Sequence, residues 1–281
     1  MPKVSVLTPI YNTNETHLRE CIESILHQTF TDFEFIILND SPQNSKLRDI
    51  VQSYADKRIK YKENSQNMGI SASRNKLLKM ARGEYIAIFD HDDISLPTRL
   101  EKQVKYLDAN PDVGVVGCNT KWFPHGDVKQ YSTDNIRIKH DLIQGCAIPH
   151  SGAMIRKKVM LNNNISWEAE YSPAEDYMLW IRLMDKTMFH NLPDVLLKYR
   201  FFDDNTTNRQ AKKMDDRTLL IKNIAYKHFP YTTHHKATNK SWVYLFSLIP
   251  ILKIKTYADS YKMYLLGFIP LIITRKNEAF K

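Results

Sequence analysis

The sequence predicts an α/β protein built on a mainly parallel sheet, followed by a C-terminal extension of different chemistry. Three observations carry this. Apolar runs of strand length alternate with stretches of helical periodicity five times within roughly the first 115 residues, the pattern of a parallel sheet covered on both faces. The first runs end in Pro, Asn, Asp or Ser, which is the loop chemistry found at the carboxyl ends of strands in open α/β sheets. The charge is also uneven. Residues 1–210 hold 27 basic and 27 acidic side chains, whereas 211–281 hold 13 against 4, so the whole net charge of +9 lies in the last quarter. A chain of 281 residues suits one large domain, here 1–210, with an appendage at 211–281.

Val4 to Pro9 reads as the first strand, and a helix follows from about Asn14 with Leu18, Cys21, Ile22, Ile25 and Leu26 on one face. Phe33 to Leu38 is the second strand, ending in Asn39-Asp40-Ser41-Pro42. A helix carrying Leu47, Ile50, Val51 and Tyr54 leads to a short strand at Ile59–Tyr61. Asn67-Met68-Gly69 forms a turn into a helix with Arg74, Leu77, Leu78 and Ala81. Tyr85 to Phe89 is a buried strand that runs into Asp90-His91-Asp92-Asp93. Ser95 and Pro97 then open a helix on Leu96, Leu100, Val104 and Leu107, and Val113–Val116 is a further strand.

Three carboxylates within four positions repel one another unless a cation lies between them, and hard oxygen ligands on a short loop suit Mg²⁺ or Mn²⁺. The competing expectation is an Asp-rich turn that caps the next helix. The turn after the first strand, Thr8-Pro9-Ile10-Tyr11-Asn12, contains no glycine, so neither a dinucleotide cradle nor a Walker loop is present. Cys21, Cys118 and Cys146 sit in apolar or periodic settings and read as buried, reduced thiols. The strand beginning at Val4 leaves no room for a signal peptide, and no apolar run reaches the ~20 residues of a membrane span.

Val6 to Asn12, Ser24 to Phe30, Leu38 to Ser41, Asn67-Met68-Gly69 with Ser73-Arg74-Asn75, and Phe89 to Asp93 resemble, in order and spacing, the signature of glycosyltransferase family 2. The resemblance runs from residue 3 to about 205. It implies an inverting enzyme of the GT-A fold, with a Rossmann-like nucleotide-sugar half at 1–118 and an acceptor half at 119–210. It also implies a UDP-sugar donor and Mn²⁺ or Mg²⁺. Carried over by position, Thr8, Pro9 and Tyr11 line the base pocket, Asp40 accepts from uracil or ribose, and Asn67 and His91 join the donor side. Arg74 approaches the nucleotide or diphosphate, Asp90 contacts ribose or sugar, and Asp92 ligates the metal, with Asp90 a second candidate ligand and Asp93 left to support them or cap the next helix.

In the second half, His150 resembles the family's acceptor-side histidine. Ser172-Pro173-Ala174-Glu175 reads as a capping box opening a helix on Tyr177, Trp180, Ile181 and Met184, which would occupy Glu175. Asp176 resembles the family's general base. Two pulls act on it: the helix N-terminus favours its charged form and closure over a sugar disfavours it. Where relatives place a metal-binding histidine after Tyr-Arg, this chain has Phe202, with Asp203 and Asp204 as substitute ligands and Arg200 facing either the diphosphate or those aspartates.

Residues 244–255 and 264–275 repeat one pattern at a spacing of 20, an apolar run broken by proline and closed by basic residues. A helical appendage docking residues 241–276 on an anionic membrane surface is expected, with packing on the catalytic domain or on a second subunit as the alternative. Nucleic-acid binding is disfavoured, because the charges form no stripe with base-reading motifs. The expected protein is a cytoplasmic, membrane-peripheral glycosyltransferase acting on a glycan or lipid-linked acceptor of surface polysaccharide. The rival classes are an idle sugar-nucleotide-binding scaffold and a nucleotidyltransferase.

Overall fold

The computed structural model describes residues 1–201, 210–228 and the strands within 240–275, the last as backbone only. The chain forms two units, Met1–Lys222 and Asn223–Lys281.

The first unit is a mixed sheet in the order β3-β2-β1-β4-β8-β6-β9-β5, with the short β7 (Val128–Lys129) off β6. Strands β1 (Val4–Ile10), β2 (Phe33–Asn39) and β3 (Ile59–Glu63) pair in parallel, as does β4 (Tyr85–Ile88) with β1. Every residue of β1, β2 and β4 is buried, so both faces of this half are covered, as near-continuous apolar strands require. Parallel pairing stops at β8 (Met154–Arg156), which runs antiparallel to both β4 and β6 (Val113–Phe123). β9 (Met188–Arg200) then lies parallel to β6, and β5 (Ile94–Ser95) pairs antiparallel with β9. The sheet is therefore parallel in its first half and mixed beyond it.

Helices α1 (Glu15–Leu26), α2 (Ser45–Gln52), α3 (Ile70–Met80) and α4 (Arg99–Ala109) bury the predicted stripes, among them Leu18, Cys21, Ile22 and Ile25 on α1. Asn14 caps α1, its side chain accepting from His17 N. Ser95 does not cap the next helix: α4 begins after Thr98, and the Ser95 hydroxyl accepts from Arg99 Nε at 2.8 Å. Gln28 fastens the end of α1 to this segment, donating to Leu96 O and accepting from Leu100 N. Cys21 and Cys118 are buried and free as expected, whereas Cys146, just beyond α5 (Asn135–Gln144), is exposed.

The C-terminal extension starts with a helix, α8 (Ala211–His228), but the repeated segment is not helical. It is a four-stranded antiparallel meander of β10 (Lys240–Leu245), β11 (Ile249–Thr256), β12 (Ser260–Leu265) and β13 (Ile269–Arg275). Each repeat is one hairpin. Tyr244 pairs with Pro250 beside an irregularity after Val243, and Tyr264 pairs with Pro270 beside one after Met263. Proline has no N–H to donate, and in each hairpin it coincides with a shift in register. The β-branched residues and alternation in these runs outweighed the apolar density that suggested helix.

Candidate active site

The acidic loop leaves β4 at the carboxyl edge of the parallel half, held from both sides. Thr8 Oγ1 donates to Phe89 O at 2.8 Å, and Asp90 N donates to Ser151 Oγ at 3.1 Å. The four loop residues have separate surroundings. Asp90 accepts from Arg74 Nη2 at 2.9 Å, and its other oxygen lies 3.9 Å from His150 Nδ1. Burial works against its ionisation, but Arg74 and His150 outweigh this and hold the carboxyl well below the usual range. Asp93 is buried, accepts from Arg200 N at 2.8 Å and is pushed up by burial and by Asp92 and Asp90. His91 keeps a buried Nδ1 without a hydrogen-bond partner among the described residues. Asp92 is half-buried, and among the described residues its carboxylate makes no hydrogen bond or ion pair.

That distribution tests the expected cation. No group of three or more His, Cys, Asp or Glu side chains among the described residues is placed to hold a metal. Asp90, the second candidate ligand, is committed to Arg74. One free carboxylate nevertheless fits Mg²⁺ or Mn²⁺, which usually take one or two carboxylates and fill the remaining positions with water and substrate phosphate. Asp92 is the residue that would hold it. Phe202, Asp203 and Asp204 lie outside the described residues.

Arg74 is the centre of the arrangement. It projects from α3, is buried, and donates through Nη1 to Glu175 Oε1 at 2.7 Å while Nη2 holds Asp90. The two carboxylates come from opposite halves of the domain, with Glu175 at the start of α7 (Glu175–Leu183). Glu175 therefore does not cap the helix. No side chain caps α7, whose first turn follows Ala174, and the Ser172-to-Glu175 spacing serves another purpose. Arg74, expected on the donor side, ties Asp90 of the acidic loop to Glu175 at the start of α7.

Asp176, beside Glu175, is half-buried and accepts from Tyr177 N at 2.7 Å. Of the opposing pulls foreseen for it, burial wins: the pKa is raised, with Glu175 adding to burial while His150, Arg74 and the Tyr177 amide pull the other way. His150 is buried, and Trp167 Nε1 donates to its Nε2 at 3.0 Å. An indole N–H only donates, so Nε2 accepts and the imidazole proton belongs on Nδ1, the nitrogen nearest Asp90. Trp167 carries no sequence signal for this role, since it reaches His150 only through the fold.

Toward the nucleotide side, Asp40 was expected to accept from base or ribose. Its carboxylate organises the loop ahead of α3, accepting from Asn64 Nδ2 at 2.6 Å, Met68 N at 2.9 Å and Gly69 N at 2.9 Å. Asn67 Oδ1 also accepts from Gly69 N, and Gly69 adopts φ +82°, a conformation that disfavours side chains. The Asx-type bond after β2 is made by Asn39 to Ser41 N. Thr8 and Pro9 are buried within β1, whereas Tyr11, Met68 and Ile70 remain exposed around the same opening. On the far side, Arg200 donates to Asp92 O at 2.7 Å and to Glu20, and its guanidinium lies over Phe123. It clamps the acidic loop.

The family model for glycosyl transferase family 2 matches residues 5–167. An uncharacterized glycosyltransferase of Methanocaldococcus jannaschii is 35% identical over 244 residues, covering 84% of this chain and 80% of its own. The putative glycosyltransferase EpsE of Bacillus subtilis is 32% identical, with 78% and 81% covered. Among solved structures, Staphylococcus aureus TarS 1–349 in complex with UDP-GlcNAc superposes with a TM-score of 0.65 at 20% identity, over 82% of this chain and 73% of that one. The mannosyltransferase PcManGT of Pyrobaculum calidifontis, in complex with GDP-Man and Mn²⁺, does so at 0.57 and 18%, over 82% and 72%.

Proposed function

This chain belongs to glycosyltransferase family 2 and has the GT-A fold, and from that premise we propose that it transfers a hexose or N-acetylhexosamine from a UDP-sugar to a hydroxyl of a glycan or lipid-linked acceptor, with inversion. The observation that carries the reading is the Arg74 bridge. It joins Asp90 of the acidic loop to Glu175, 101 residues further on than the arginine, which supports reading their neighbours Asp92 and Asp176 as parts of one site.

In the proposed step Asp176 takes the proton of the acceptor hydroxyl while that oxygen bonds to the anomeric carbon. The bond to the diphosphate breaks with its electron pair leaving on the phosphate. A desolvated carboxylate with a raised pKa is a better proton acceptor than an ordinary surface Asp. Asp92 would hold Mg²⁺ or Mn²⁺, which when bound offsets the charge of the diphosphate. Tyr11, Met68 and Ile70 offer apolar surface to the base beside the loop that Asp40 fixes. The UDP preference draws support from the TarS complexes with UDP and UDP-GlcNAc.

The enzyme is proposed to work peripherally on the inner face of the cytoplasmic membrane, in assembly of a surface polysaccharide. Across the tail sheet Lys240 pairs with Lys255 and Lys255 with Lys262, while Trp242 pairs with Lys253 and Lys253 with Tyr264. Such cationic rows suit an anionic surface. Among the described residues no helix is long and apolar enough to cross a membrane.

Thermal-shift screening of nucleotide sugars with and without Mn²⁺ tests the donor assignment. Stabilisation by UDP-sugars that grows with Mn²⁺ is expected; an unchanged melting curve with every nucleotide sugar would overturn the assignment.

A further inference from the structure

On the side of the acidic loop away from the nucleotide strands, the described residues contain a second feature that the proposed chemistry does not use. It is a shallow, open concavity lined by Lys121, Trp122, Phe123, Pro124, Gly126 and Lys198. Strands β6 and β9 bring Lys121 and Lys198 into direct register across a parallel pair. Among the described residues neither ammonium group has an ion pair or hydrogen bond; Lys121 is exposed and Lys198 half-buried. Like charges directly opposite on neighbouring strands are mutually unfavourable, so an anion lying between the two ammonium groups would relieve the pair.

The rest of the lining indicates what carries that anion. Phe123 is 37% exposed although the Arg200 guanidinium sits 5.0 Å over its ring, and Pro124 continues the apolar surface. An aromatic and a proline beside two free ammonium groups suit a sugar ring with a charged substituent. The position is tied to the reacting centre: Arg200, which stacks on Phe123, donates to Asp92 O, and Ile94 just after the acidic loop pairs with Lys198. In strand order β6 and β9 lie beyond β4 and β8, away from β1, β2 and β3, which carry the nucleotide-side loops. The anion is therefore placed on the acceptor side.

We propose that this concavity is an acceptor subsite for a sugar bearing a phosphate ester, gripped by Lys121 and Lys198 with the sugar against Phe123. The proposal rests on the glycosyltransferase reading and specifies its acceptor. The phosphate belongs either to the glycan itself or to the diphosphate of a lipid carrier.

Calorimetric titration of the full chain with glucose 6-phosphate, a short isoprenyl diphosphate glucose and methyl glucoside tests it, alongside UDP with Mn²⁺. Both phosphorylated probes are expected to bind more tightly than methyl glucoside, and the tighter of the two identifies the source of the phosphate. The Lys121→Gln/Lys198→Gln double variant is expected to lose roughly tenfold in affinity for them while keeping UDP binding and its melting temperature. Phe123→Ala should weaken the sugar phosphates and leave inorganic phosphate unaffected. Equal affinity of wild type and the lysine variant for both phosphorylated probes, or binding of methyl glucoside as tight as theirs, overturns the subsite. Failure of UDP to bind the wild type would instead count against the enzymatic reading, since the sugar-phosphate titration is read independently of it.

Discussion

Replacing Arg74 by Met should show how strongly one cation holds the site together. The guanidinium is 8% exposed and its partners Glu175 and Asp90 are 6% and 27% exposed, so the substitution leaves two carboxylates in low-dielectric surroundings without a counter-charge. Removing one member of a buried ion pair costs about 3–5 kcal/mol, and the partial exposure of Asp90 argues for the lower end, about 3 kcal/mol. For a unit of this size each kcal/mol shifts Tm by about 2–4 °C, so a drop of roughly 6–12 °C at pH 7 is expected. The pH dependence gives a second check. Asp90 is held below its ordinary pKa in the wild type, so its stabilisation is present above the unfolded value near 4 and is lost as pH falls through the depressed one. In the variant, buried carboxylates without a cation have raised pKa values and are relieved by acidification. The gap between the two proteins should therefore be widest at pH 7 and narrow toward pH 4, measured by calorimetric melts. Adding Asp90→Asn and Glu175→Gln to Arg74→Met should recover more than half of the loss. A single variant melting within about 1 °C of the wild type at pH 7 would refute the bridge.

Asp176→Asn should reduce transfer by about 10²–10⁴-fold, the usual contribution of a general base, while UDP binding persists. Burial disfavours the charged form of Asp176, so the same variant should melt higher than the wild type at pH 7, and an unchanged or lower Tm would contradict the raised pKa. In the wild type, kcat should fall on acidification with a midpoint above the ordinary carboxylate value of about 4; a midpoint at or below that value counts against the assignment. Asp92→Ala should remove the Mn²⁺-dependent part of UDP stabilisation in thermal-shift titrations without lowering the apo Tm, and persistence of the Mn²⁺ effect would point to another ligand. In liposome flotation, the full chain should float with anionic vesicles and a 1–235 truncation should not; equal behaviour of the two excludes tail-mediated docking.

Most of the sheet and its helices were legible because their signals are local. The uninterrupted apolar runs of β1, β2 and β4 and the i, i+3, i+4 stripe of α1 require no partner to be recognised. The acidic loop was legible as a cluster, but the separate states of its members were not. Asp90 is neutralised by an arginine 16 positions earlier, Asp93 is turned to Arg200 N 107 positions later, and the Asp92 carboxylate has no partner among the described residues. Glu175 shows the same limit more sharply: Ser172 supplied a complete local explanation, and a long-range ion pair displaced it. Asp40 was legible as a carboxylate at the end of β2, but its donors, the Asn64 side-chain amide and the Met68 and Gly69 N–H groups, lie 24, 28 and 29 positions further on. In the tail the spacing of 20 was visible, while the choice between helix and hairpin depends on pairing between strands that periodicity alone does not report.

The coincidence of one copy with one hairpin makes the tail adjustable in whole units. Loss of residues 240–259 would remove β10 and β11 and with them the β11–β12 rungs while keeping the β12–β13 hairpin, and insertion of another copy would add one more hairpin to the meander. An in-frame gain or loss of sixty nucleotides thus changes the number of basic rows while leaving Met1–Lys222 untouched in sequence. The proposed docking on a charged surface would in this way be graded in discrete steps, with the residues assigned to the chemistry unchanged in sequence.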